Sequence, residues 1–141
     1  MIVRNCSGGI VFSGDKVLLV ANDKHEWGFP KGTVKNSADV SLAVFAKDRV
    51  KIETDVDAKV IAPCGKTNYE FYSISRRKPV HNNISWFVME SKSDTCKAFP
   101  ESGTVDCEFV EVDKALDEIT YSQDKSLLMM AYQKYRESLK D

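Results

Sequence analysis

The chain is 141 residues long, 43% hydrophobic and 29% charged, and its 20 basic and 21 acidic residues leave a net charge of −1. That size fits one domain over residues 1–141, with a core of its own and little room for a second. The charge balance argues neither for nor against a nucleic-acid partner, and no apolar run approaches the ~20 residues of a bilayer span, so no membrane partner is expected.

In chain order, MIVRNCSGGIVF lacks the charged-then-apolar layout of a signal peptide. Gly9–Phe12 and Lys16–Val20 are β-rich runs joined by the turn Ser13-Gly14-Asp15, which predicts a hairpin. Asn22 to Gly32 reads as a loop carrying Trp27 and the Gly28-Phe29-Pro30 bend. Asn36 and Ser37 are N-cap residues for a helix predicted over 38–52, and Asp55 tolerates the left-handed geometry of a helix end. Strands are predicted over 58–62, 69–74, 84–90 and 107–112, the second and third joined by the basic hairpin loop SRRKPVHNN. Ser122 or Asp124 starts a last helix, with Leu127, Leu128, Ala131, Tyr132, Tyr135 and Leu139 at helical spacing. This order, without internal repeats or linkers, predicts an α+β or α/β sandwich.

Cys6, Cys64, Cys96 and Cys107 form no CxxC pair, and His25 and His81 fall at no metal-ligand spacing with them. A cytoplasmic protein with reduced thiols is expected, with no zinc site and no cofactor. No Gly-x-Ser-x-Gly elbow and no Cys/His pairing marks a nucleophile.

At Trp27-Gly28-Phe29-Pro30-Lys31-Gly32, followed by a loop, a helix and a strand, the sequence resembles the Nudix hydrolase family. The runs CSGGIVF, KVLLVA, Tyr69-Glu70-Phe71-Tyr72, Ile84-Ser85-Trp86-Phe87 and Ile119-Thr120-Tyr121 extend the likeness, which is strongest to the branch that cleaves diadenosine or diphosphoinositol polyphosphates. It implies an α/β/α sandwich with a mixed β-sheet and a C-terminal helix. The family signature is G-x5-E-x7-R-E-U-x-E-E-x-G-U, with U a bulky aliphatic. Its glutamates at i, i+3 and i+4 share one helical face and hold Mg2+ against a pyrophosphate.

Laid without gaps from Gly32, the signature places Ala38 at the first glutamate, Ala46 at the arginine, and Lys47, Val50 and Lys51 at the three metal glutamates. Two extra loop residues improve the fit. Val50 and Val56 then take the aliphatic positions, Asp48 the arginine position, and Arg49, Ile52 and Glu53 the glutamate positions. In either alignment at most one of the three survives. A guanidinium or ammonium there repels a hard dication, and an Ile or Lys cannot do the work of a carboxylate on water.

Two basic groups remain as candidates for holding phosphate: Lys31, Lys47, Arg49 and Lys51 around the degenerate helix, and Arg76, Arg77 and Lys78 on the hairpin loop. The plainer reading of each is a solvated charged surface, with Asp48 and Glu53 as helical partners. Tyr69, Phe71 and Tyr72 follow one another along a strand, so their rings divide between its two faces: two are expected to pack in the core, and one exposed ring is available for stacking on a base. Trp27 covers either a nucleobase or the core, and Trp86 reads as core.

The expectation is therefore a catalytically degenerate Nudix-fold protein that binds RNA, or a nucleotide polyphosphate, without metal and without cleaving it. The competing reading is a divergent active pyrophosphohydrolase for diadenosine or diphosphoinositol polyphosphates, with a metal site rebuilt from Glu53, Asp48 or Glu70. A third is a protein-interaction scaffold that binds no phosphate. A homodimer is left open.

Overall fold

The computed structural model describes residues 1–35 and 41–140. Strand β1 (Ile2–Ser13) leads to β2 (Lys16–Ala21), β3 (Trp27–Gly28) and β4 (Lys31–Thr33). Helix α1 (Leu42–Thr54) is followed by β5 (Lys59–Ser73), β6 (Lys78–Glu90), β7 (Asp106–Glu111), α2 (Val112–Glu118) and α3 (Ser122–Ser138). The strands make one seven-stranded sheet along the path β3-β2-β1-β6-β5, with β4 also paired to β1 and β7 to β2. β1 runs parallel to β6, and the other pairs are antiparallel, so the sheet is mixed as predicted.

Alternation along the strands divides the interior in two. Ile10 and Phe12 of β1, Val17 and Leu19 of β2, and Ile84, Trp86 and Val88 of β6 join a core with α2 and α3. The intervening Val11, Leu18 and Met89 pack with Ala46 and Val50 of α1. Strands buried on both faces read as continuous apolar runs, which is the pattern of KVLLVA. The sheet is thus the middle layer between α1 and the α2/α3 pair.

Ser41 caps α1 by accepting from Val44 N at 3.4 Å. Asp55 ends it at φ 60°, donating its N–H to Lys51 O at 3.0 Å. The predicted caps Asn36 and Ser37, and the first three residues of the predicted helix, lie outside the described residues.

Four expectations change. β6 begins at Lys78, so Lys78–Asn83 of the predicted loop SRRKPVHNN are paired strand and the turn is confined to residues before them. The stretch 22–32 contains β3 and β4, because its backbone pairs with β2 at Val20↔Gly28 and with β1 at Gly8↔Lys31. β5 is one strand where two were predicted. Pro63 and Gly65 interrupt the sequence pattern, but the chain carries them in a bulge with a register shift, Gly65 sitting at φ 88°. The seven-residue helix α2, which follows β7 directly, was not predicted.

Cys6 and Cys64 are buried, Cys96 and Cys107 are half-buried, and all four are free thiols. No described helix is long and apolar enough to cross a membrane.

Candidate functional site

The Trp27–Gly32 stretch is stitched to the fold from both sides. Gly9 N donates to Pro30 O at 3.0 Å, Trp27 N donates to Thr120 Oγ1 at 2.8 Å, and Thr120 N returns to Trp27 O at 3.1 Å. Phe29 meets Trp86 edge to face with ring centroids 5.7 Å apart. Trp86 is core, as expected, and its indole N–H donates to the buried Thr67 Oγ1 at 2.8 Å. This frame supports a cleft of about 210 Å³ lined by Trp27, Lys31, Arg49, Glu53, Tyr121 and Asp124 among others. Trp27 is half-buried, packing on the core with one part and lining the cleft with another.

At the cleft floor Arg49 and Glu53, one helical turn apart, form an ion pair. Arg49 Nε donates to Glu53 Oε2 at 2.5 Å, and Arg49 Nη2 donates to Ser102 O at 2.8 Å. Thr104 Oγ1 donates to the other carboxylate oxygen at 2.6 Å. Glu53 is only 5% exposed. Burial pushes its carboxyl above its ordinary value, while the Thr104 hydrogen bond and the Arg49 charge pull the other way. Gly32 makes the arrangement sterically feasible, since a Cβ there would stand 2.7 Å from Arg49 Cδ and 2.9 Å from Nε.

This donor set does not fit a magnesium ion. Of the three helical positions that the resemblance assigns to metal glutamates, one holds a guanidinium. A second holds the exposed Ile52, and the third holds a carboxylate whose two oxygens are already engaged. Among the described residues no three His, Cys, Asp or Glu side chains gather to hold an ion. Glu70, a proposed replacement ligand, pairs with His81 Nδ1 at 2.9 Å, and strand alternation puts it on the sheet face opposite Tyr69. Asp48 is exposed on α1.

At the mouth of the cleft Tyr121 donates its hydroxyl to Glu26 Oε2, and Asn22 Nδ2 donates to Glu26 Oε1 at 2.9 Å. The Tyr121 hydrogen bond holds the Glu26 carboxyl below its ordinary value. Asp124, in the first turn of α3, is half-buried, and burial raises its carboxyl against the opposing charge of Lys31.

The sequence-predicted residues separate into three places. Lys31 and Arg49 line the cleft, and the Lys31 ammonium lies 4.9 Å from the ring centre of Tyr69, which is 39% exposed. Lys51 faces elsewhere and pairs with Asp55 at 3.1 Å and Asp57 at 3.3 Å. Lys47 lines a separate hollow of about 640 Å³ together with Asp55, Asp57 and Glu90. Arg76, Arg77 and Lys78 are exposed at the turn between β5 and β6, Arg77 at φ 54°.

Sequence reasoning missed Glu26, Ser102, Thr104, Tyr121 and Asp124. Only Tyr121 carried a signal, through Ile119-Thr120-Tyr121. The others reach the cleft by tertiary contacts with no local pattern.

No protein-family model and no curated protein matches the chain. Solved structures do. The Nudix domain of Shewanella oneidensis NrtR, complexed with ADP ribose, superposes with a TM-score of 0.75 at 15% identity, over 96% of this chain and 90% of that one. The E. coli dihydroneopterin triphosphate pyrophosphohydrolase gives 0.71 at 14% identity, over 91% and 95%. A C. elegans Ap4A hydrolase gives 0.67 at 17% identity, over 96% and 97%. Likeness at such identities is likeness of architecture, and by superposition this chain has the Nudix fold.

Proposed function

We propose that the protein binds RNA, or a nucleotide polyphosphate, in this cleft without metal, and does not cleave it. The observation that carries the reading is the Arg49–Glu53 pair, an internal cation standing where metal-directed carboxylates would be needed. A fixed guanidinium held from below by Glu53 and Ser102 presents its remaining edge to an anion. Lys31 supplies a second cation on the same wall. Trp27 offers an apolar face to a base, and the Asp124 carboxyl offers it a hydrogen-bonding group. A Nudix domain of the same fold holds ADP ribose, which supports a nucleotide as the ligand class.

The test is binding of RNA and of nucleoside polyphosphates in chelator, beside a turnover assay with Mg2+ or Mn2+. Expected are binding that weakens with salt, loss of affinity in Arg49→Ala and Lys31→Ala, and no product. Metal-dependent release of product from diadenosine polyphosphates or diphosphoinositol polyphosphates would establish the active-hydrolase reading instead. No binding of either ligand would leave the scaffold reading.

A further inference from the structure

Beyond the cleft, the sheet face that carries Trp86 continues along β1, β5 and β6 toward the turn before Lys78, and there the rings of Tyr69 and Phe71 form its partly exposed outer layer. Strand register puts Arg4 of β1, Lys31 of β4, Asn82 of β6, and Tyr69 and Phe71 of β5 on this one face. Tyr69 and Phe71 are each 39% exposed and stack on one another with centroids 6.0 Å apart. Cations bracket the ring pair: Lys31 lies 4.9 Å from the Tyr69 ring, and the Arg4 guanidinium 5.4 Å from the Phe71 ring. Arg4 is fixed there by donating Nε to the buried Asn82 Oδ1 at 3.0 Å.

The charge on this strip has one sign. Positions sharing the face, alternate residues from Ile2 to Cys6, Lys31 to Thr33, Thr67 to Ser73 and Lys78 to Ile84, include no Asp or Glu. Its far end is the basic turn Arg76-Arg77-Lys78, and its near end is Lys31, which also lines the cleft. Two adjacent rings flanked by cations suit unstacked bases with phosphates passing on either side, a surface that a duplex cannot use.

We propose that this face is a track for a single-stranded oligonucleotide. One terminal nucleotide sits in the cleft, the following bases pack against the exposed edges of Tyr69 and Phe71 between the two cations, and the backbone leaves past Arg4 toward Arg76-Arg77-Lys78. The proposal rests on the nucleotide-binding reading of the cleft and adds the strandedness and path of the ligand. Stacking and phosphate contact are common to RNA and DNA, and the two are separated by running both as probes.

The test measures fluorescence anisotropy in chelator with a labelled single strand of about eight nucleotides, its duplex, and a nucleoside triphosphate. The single strand is expected to bind more tightly than either the triphosphate or the duplex. Phe71→Ala should weaken the single strand roughly tenfold and leave triphosphate binding unchanged. Phe71→Trp should restore affinity, with its emission quenched by the strand. Tighter RNA than DNA binding assigns the track to RNA, and the reverse assigns it to DNA. If the triphosphate binds but the single strand gains nothing, or Phe71→Ala leaves its affinity unmoved, the track is refuted while the cleft reading stands. If nothing binds, both fail.

Discussion

Arg49 lies flat on the backbone of Gly32, with no room between them for a methyl group. The guanidinium cannot swing aside cheaply, because Glu53 and Ser102 hold its nitrogens. Gly32→Ala is expected to destabilise the fold by about 1–3 kcal/mol, the usual cost of overpacking. In an Arg49→Ala background the same change should cost far less. Urea unfolding of the four proteins in this cycle measures the coupling, and full additivity would contradict the contact.

Removing Arg49 alone leaves a buried carboxylate facing no counterion. Arg49→Ala should cost about 2–3 kcal/mol, below the range for fully buried pairs because the arginine is itself partly open to water. Denaturant unfolding at neutral pH checks this.

The Glu53 carboxyl titrates above its ordinary value of 4.5 in the folded protein, chiefly through burial. The native state therefore holds that proton more tightly than the unfolded chain does. The associated stability is fully present below the unfolded value and is lost as pH rises through the folded one. Glu53→Gln has no such titration. The stability difference should thus move in favour of the variant as pH rises from about 4 to about 7. Movement in favour of the parent would mean that the Arg49 charge outweighs burial.

A cation site should be recoverable. The double substitution Arg49→Glu and Ile52→Glu would place carboxylates at i, i+3 and i+4 with Glu53. Calorimetric titration with Mn2+ is expected to show binding to this variant and none to the parent.

Trp86 donates to Thr67 inside the core, so Thr67→Val should orphan a buried indole N–H and cost about 1–3 kcal/mol. An unchanged urea midpoint would show that the indole finds another acceptor.

Much of the architecture was legible in the sequence because it rests on local periodicity. KVLLVA and the alternating β6 run marked the sheet, and the apolar spacing of α3 marked the last helix. The extent of β5 was not, since Pro63 and Gly65 look like a break and act as a bulge. At the site, the plainer reading of Glu53 as a helical partner is met by its i,i+4 pair with Arg49. Whether Lys47 and Lys51 join them was beyond a charge count. Helical geometry turns both away from the Arg49 face, and Lys51 is drawn to Asp55 and Asp57. The Arg4–Phe71 contact was invisible because it depends on the parallel register of β1 on β6.

The cleft floor is also joined across long stretches of sequence. Thr104 binds Glu53 across 51 residues of sequence, Ser102 binds Arg49 across 53, and Lys97 and Phe99 donate backbone N–H groups to the carbonyls of Thr54 and Glu53. These contacts close long loops, so a growing chain can wind α1 well before they form. Without the segment around residue 104, Glu53 would lose its Thr104 donor and Arg49 its Ser102 acceptor. The arginine latch is a property of the finished domain and not of the helix that carries it.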